Sequence, residues 1–301
     1  MVAASTPAVA RVGEVELAYE TIGDPERPTV LLIMGLGGYR HYWPDGFCRM
    51  LADSGHHVVR FDNRDVGDST HLADHGPVDI AAVLAGRAAP PYSLEDLADD
   101  TVGLIEALGL RSAHLVGMSL GGMIAQSVAI GHPDRIGSLT SFASTTNDPT
   151  VGGAQPEAMR ALTAAPPTTR EGMAEHAVAT ARVIGSTGFD LDEGWLRDRG
   201  RRAFDIGVDP AGLSRQTAAA LTARDRTPAL RSLRVPTLVV HGAVDPLCDV
   251  SGGRATAAAV PDADLMVVDG LGHDLPPGFW PSLVDVVMSI VQRGERRAAG
   301  R

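Results

Sequence analysis

The segment Gly117-Met118-Ser119-Leu120-Gly121 constrains this chain more than any other. It follows an apolar run, Ala113-His114-Leu115-Val116, and opens a helix-like run over residues 122–130. A G-x-S-x-G between strand and helix makes a turn sharp enough to hold a serine in a strained conformation with its hydroxyl exposed. The flanking glycines suit the crowded crossing, where larger side chains would clash. The pattern occurs once. A purely structural Gly-Ser turn is the competing reading, and the strand–turn–helix setting favours a nucleophile.

The Ser119 strand is one of a series. Val30-Leu31-Leu32-Ile33-Met34, His57-Val58-Val59-Arg60-Phe61, Thr237-Leu238-Val239-Val240-His241 and Leu265-Met266-Val267-Val268 are short, mostly apolar runs, and residues 136–142 form another. Such runs belong to strands buried on both faces. Residues 12–22 alternate apolar and polar and predict an edge hairpin. Helices are expected at 44–53, at 94–108 behind a Ser93 cap with Asp96 three residues on, and at 279–292. Strand alternating with helix predicts an α/β fold, a mostly parallel sheet with helices on both faces. The alternation breaks over an Ala-, Thr- and Arg-rich stretch. Residues 1–146 and 229–301 are therefore assigned to the core, and 147–228 to an inserted helical cap over the sheet's C-terminal edge. A separate domain is the alternative, and the stretch has few aromatic residues with which to build its own core.

A serine nucleophile needs a base, and the base needs an orienting carboxylate. On this kind of sheet the chain order is Ser, then Asp or Glu, then His. Asp245 follows one late strand in His241-Gly242-Ala243-Val244-Asp245, and His273 follows the next in Gly270-Leu271-Gly272-His273. Both loops sit at carboxyl ends of parallel strands, the edge where ligands bind. His71 and His75 are rival bases in a loop. Asp249, Asp269 and Asp148 are rival acids. Acyl transfer also needs two backbone N–H groups for the developing oxyanion. Leu120 supplies one by position, and Leu36 in Met34-Gly35-Leu36-Gly37-Gly38 is expected to supply the other, unless that segment is an ordinary glycine-rich turn.

Composition narrows the chemistry. All 26 basic residues are arginine, which excludes Schiff-base and pyridoxal-phosphate catalysis and a Walker-type loop. A net charge of −11 and 4% aromatic residues argue against a nucleic-acid binder. Cys48 and Cys248, with no C-x-x-C pair, read as reduced core residues, so no metal site is expected. Residues 1–11 carry no basic start or apolar run, and no stretch of about 18 apolar residues exists to span a membrane. The expectation is a soluble, cytoplasmic protein. Nothing in the sequence sets an oligomeric state.

The chain resembles the α/β-hydrolase superfamily over nearly its whole length, and within it the esterases related to aclacinomycin methylesterase. The resemblance is carried by Leu31-Leu32-Ile33-Met34-Gly35, by Trp43-Pro44-Asp45-Gly46-Phe47, by residues 58–69, by the Ser119 turn, and by the Asp245 and His273 loops. Met34-Gly35 stands where many members of the superfamily have His-Gly. The resemblance implies Ser119, Asp245 and His273 as a triad, with Leu36 and Leu120 as oxyanion donors and no cofactor. The expected activity is hydrolysis of a small-molecule ester, by methyl or another small alcohol. A thioesterase or C–C bond hydrolase would use the same residues, and a non-catalytic ligand-binding member of the fold is the alternative of another class. Met159, Met173, Trp195 and Phe204 are the bulky apolar residues the cap could offer a substrate pocket. Arg197, Arg199, Arg201 and Arg202 offer either an anion-binding patch or a solvated helix face with Asp198 and Asp205 as partners, and the solvated face is the favoured reading. The charges and Gly67 of the loop over residues 62–69 could face a substrate, but the loop reads better as a salt-bridged brace beside the site.

Overall fold

The long apolar runs become the middle of one sheet. In the computed structural model, which describes residues 4–300, the chain opens with β1 (Ala8–Val12), β2 (Val15–Ile22) and β3 (Thr29–Ile33). Then follow α1 (Asp45–Asp53), β4 (His57–Phe61), α2 (Ile80–Leu84), α3 (Leu94–Ala107), β5 (Ala113–Met118), α4 (Leu120–Gly131) and β6 (Ile136–Phe142). Residues 1–3 of the N-terminal stretch, and Arg301 at the end of the assigned core, lie outside the described residues.

Five helices come next: α5 (Pro156–Leu162), α6 (Arg170–Ile184), α7 (Glu193–Ile206), α8 (Pro210–Thr222) and α9 (Thr227–Leu230). The chain closes with β7 (Thr237–Gly242), α10 (Val250–Ala259), β8 (Asp264–Val268) and α11 (Trp280–Ala299).

The strand order is β1-β2-β4-β3-β5-β6-β7-β8. β1 pairs with β2, and β2 with β4, antiparallel; every pairing from β4 to β8 is parallel. Parallel neighbours need crossovers, and these cover both faces with helices. Alternate strand residues split between two cores. Leu31 and Ile33 pack with Leu97, Ile105, Ile124 and Val128 from α3 and α4. Val30 and Leu32 pack with Phe47 and Leu51 from α1 and with Leu283 and Val287 from α11. Ser93 caps α3 as its sequence predicts: its hydroxyl accepts from Asp96 N, and Asp96 accepts from Ser93 N at 2.7 Å.

The weaker elements depart from the sequence expectation. The edge hairpin begins at Ala8, because Ala8 and Ala10 are too small to show alternation. The helix α10, Val-Ser-Gly-Gly-Arg-Ala-Thr-Ala-Ala-Ala, carries no apolar stripe from which its sequence would announce it. The closing helix runs on to Ala299 through a polar end.

The insertion between β6 and β7 leaves and returns at one place. Arg226 N donates to Thr146 O at 2.9 Å, and the Thr227 and Thr146 hydroxyls lie 2.9 Å apart. Its helix α8 docks on the loop after β4 through a buried ion pair. Arg215 Nε and Nη2 donate to both oxygens of Asp65, at 2.8 and 2.7 Å, and neither side chain is exposed. The Tyr92 hydroxyl and Leu72 N also donate to Asp65. Burial alone would raise the Asp65 pKa, but the Arg215 fork and these donors hold it below the usual carboxylate range. Among the described residues, no helix is long and apolar enough to cross a membrane.

Removing one partner of such a pair leaves an uncompensated buried charge. Arg215→Met should therefore lower the unfolding free energy by about 3–5 kcal/mol, measured by urea titration. The Asp65→Asn, Arg215→Met double variant should recover part of that loss. A single variant as stable as the wild type would show that the pair does not hold α8 down.

Candidate active site

Ser119 stands between β5 and α4 with φ 57° and ψ −121°, a left-handed backbone costly for any residue but glycine. Its neighbours hold it there. Ser119 N donates to Phe142 O at 2.9 Å. Its carbonyl accepts from Gly122 N, Met123 N and the Ser144 hydroxyl at 2.9, 3.1 and 2.8 Å. The start of α4 runs so close to β3 that a Cβ on Gly121 would fall 2.0 Å from Ile33 O.

The loop after β3 lies directly against the serine. A Cβ on Gly35 would come 3.0 Å from Ser119 Cβ and 3.2 Å from Met118 O, close enough that the serine turn would have to give way. Gly38 N closes a turn on Gly35 O at 3.0 Å, with Leu36 inside it. A residue not anticipated from sequence fixes the loop from above: buried Gln216 on α8 accepts from Gly37 N at 2.9 Å and donates to Arg64 O at 2.8 Å. Leu120 is the first residue of α4, where a backbone N–H has no partner within the helix.

Asp245 and His273 meet between the ends of β7 and β8. His273 Nδ1 lies 2.7 Å from Asp245 Oδ2, and both side chains are buried. Asp245 Oδ1 accepts from Leu247 N and Cys248 N at 2.9 and 2.8 Å, which locks the carboxylate in plane. His241 approaches the same carboxylate at 3.6 Å, but its Nε2 is engaged by Cys248 O at 2.7 Å. The rival acids lie elsewhere. Asp148 accepts from Thr150 N and the Thr150 hydroxyl, Asp249 caps α10, and Asp269 is exposed.

Ser119 and His273 line one cavity of about 280 Å³, roofed by α6 and α7. Met173 and Trp195 are in its wall. Met159 and Phe204 are not. Met159 is 38% exposed, and Phe204 packs behind the wall on the cluster of Tyr39, Val66, Met173 and Ala203, four residues past Gly200, the last α7 residue that lines the cavity. Asp65, Val66 and Gly67 show that the bracing loop also forms wall.

The arginine row of α7 divides. Arg197 pairs with Glu175 and Glu193, and Arg201 with Glu171 and Asp198, on the outer face. Asp205 pairs with Arg170, and Arg202 reaches Glu20. Arg199 departs from the expected solvated face and lines the cavity instead.

His71 lines the cavity too. Its Nδ1 is 2.8 Å from Asp209 Oδ2 and its Nε2 is 3.0 Å from Gly67 O, so both nitrogens face acceptors, which suits the imidazolium. Burial lowers its pKa, but the Asp209 carboxylate and Gly67 carbonyl outweigh that and raise it above the usual histidine value. Asp65, His71 and Asp209 present ligand atoms within 4.8 Å of one another. Arg215 donates to both carboxylates, so a cation would have to displace a guanidinium there.

The model of the alpha/beta hydrolase fold matches residues 28–276, and the chain belongs to the α/β-hydrolase family. Rhodomycin D methylesterase DauP of Streptomyces sp. (strain C5) is 29% identical over 288 residues, covering 87% of this chain and 90% of the relative. Rhodomycin D methylesterase DnrP of Streptomyces peucetius is 28% identical over 286 residues, with the same coverage of each. Among solved structures, a hydrolase from Pseudomonas aeruginosa superposes with a TM-score of 0.71 at 25% identity, covering 95% of this chain and 98% of that one. The protein is an enzyme of the hydrolase class, similar to esterases.

The raised His71 pKa gives a signed expectation. Stability from the His71–Asp209 pair is fully present below the free histidine value of about 6.5 and is lost as pH rises through the raised value. His71→Phe should cost about 1 kcal/mol at acid pH and much less at pH about 9. Unfolding titrations at both values check this, and a cost that grows with pH would refute it.

Proposed function

We propose that the protein is a carboxylic-ester hydrolase that works through an acyl-enzyme on Ser119. One observation carries the reading: His273, held 2.7 Å from buried Asp245, shares a cavity with a serine on a strained turn. An Nδ1–H donated to Asp245 leaves Nε2 free to accept, the tautomer a general base needs. His273 takes the Ser119 proton as the oxygen attacks the ester carbonyl. Asp245 orients the ring and stabilises the imidazolium. The Leu36 and Leu120 N–H groups receive the oxyanion, with Gln216 keeping the Leu36 turn in register. His273 then protonates the leaving alcohol, and water returns through the same base to free the acid.

The two methylesterase relatives support a methyl or other small-alcohol ester as substrate. Residues 147–228 act as the cap, with Met173 and Trp195 selecting the acyl group from the cavity wall.

Ser119→Ala should keep the fold and lower kcat by about 10⁴-fold or more, with loss of labelling by a fluorophosphonate. Asp245→Asn should cost up to about 10⁴-fold, while Asp148→Asn stays near wild type. Turnover of thioesters or β-diketones but not esters would overturn the reading. Met173→Ala and Trp195→Ala should reorder a panel of methyl esters graded by acyl bulk, while Ser119 still reacts with a small phosphonate. An unchanged order would remove the cap from substrate choice.

A further inference from the structure

The cavity holds a cation without a partner. The buried guanidiniums elsewhere are all engaged: Arg40, Arg60 and Arg215 in ion pairs, Arg226 on Gln126 and the Thr145 carbonyl. Arg64, nearly buried, forks onto Asp100. Arg199, half-buried in the cavity wall, makes no side-chain hydrogen bond or ion pair with the described residues, and its Nε is shielded from solvent with no acceptor. Its Cζ sits 4.4 Å from the Tyr42 ring centroid and 5.0 Å from that of Trp195. Asp274 also lines the cavity, but its carboxylate takes the Ser186 hydroxyl and forms no ion pair with Arg199. Burial pushes the Arg199 pKa down, against the weaker opposing effect of Tyr42 and Asp274.

Buried polar groups left unpaired in a pocket wall are where a ligand completes the hydrogen bonding. With two aromatic rings beside the guanidinium, its N–H edge remains to meet a ligand, and a planar fork of N–H donors matches a carboxylate.

We infer that Arg199 binds a carboxylate carried by the substrate away from the scissile ester, so that the preferred substrates are half-esters of dicarboxylic acids or larger acids of that pattern. The inference rests on the ester-hydrolase reading for its catalytic half only. Wild-type enzyme is given monomethyl esters of glutaric to suberic acid, each beside the methyl ester of the monocarboxylic acid of matching length. The ratio of kcat/KM, charged over neutral, should be about 10–100 at one or more lengths, the worth of hydrogen bonds to a charged group. It should fall to near 1 in Arg199→Gln and stay intermediate in Arg199→Lys, which keeps the charge but loses the fork. A wild-type ratio at or below 1 at every length overturns the inference, as does an Arg199→Gln variant that slows both esters equally. A binding measurement separates the two readings. Free glutarate to suberate should raise the Tm of Ser119→Ala and leave that of Ser119→Ala, Arg199→Gln unmoved. If no ester is turned over, the hydrolase reading fails, and this shift alone decides Arg199.

Discussion

The strained backbone of Ser119 is the constraint on which the rest of the structure depends. A residue at φ 57° reverts unless its surroundings fix it. Here β6 supplies Phe142 O, α4 supplies two amides, and Ser144 supplies a hydroxyl. Each of those partners comes from the β5–α4–β6 unit, so the turn is made by elements adjacent in sequence. The sheet order adds what sequence adjacency cannot. Because β3 lies beside β5, the Gly35 turn falls against the serine, and because β7 and β8 follow β6, the Asp245 and His273 loops open at the same edge.

The second organising feature is how the insertion is attached. Arg215 and Gln216 are neighbours on α8, and both reach down into the core, one to Asp65 and one to the Gly37 turn. A single helical face thus anchors the insertion and braces the loop proposed to receive the oxyanion. Placing an ion pair there is favourable only because the geometry is bidentate and Tyr92 and Leu72 satisfy the remaining acceptor sites.

Much of the fold was legible because buried parallel strands leave continuous apolar runs, and Ser93 with Asp96 announced α3. Helix α10 was not legible, since alanine and glycine carry no stripe. At the site, the Asp245–His273 pairing followed from chain order on a parallel sheet. The contacts of Gln216 and Asp209 did not, because their partners lie 179 and 138 residues away. Arg199 departs from the solvated face favoured for its arginine-rich stretch. Two positions from both Arg197 and Arg201, it lies about 200° around the helix from each, on the side of Leu196, Gly200 and Ala203, which are buried. The same periodicity separates Met173, on the buried side of α6 with Ala174 and Ala177, from Met159 on the exposed side of α5.

The last turn of α6 ends in a carbonyl, Ile184 O, that accepts from His273 N at 2.7 Å, and the next residues hold Gly272 N and Gly270 O through Ser186, Thr187 and Gly188. The helix that roofs the cavity is therefore also the hinge pin of the histidine loop. Lifting that roof as a rigid flap would drag the His273 loop with it. For the same reason the roof is not an interchangeable module. Transplanting another one onto this sheet would carry over its shape and discard the peg that seats the histidine.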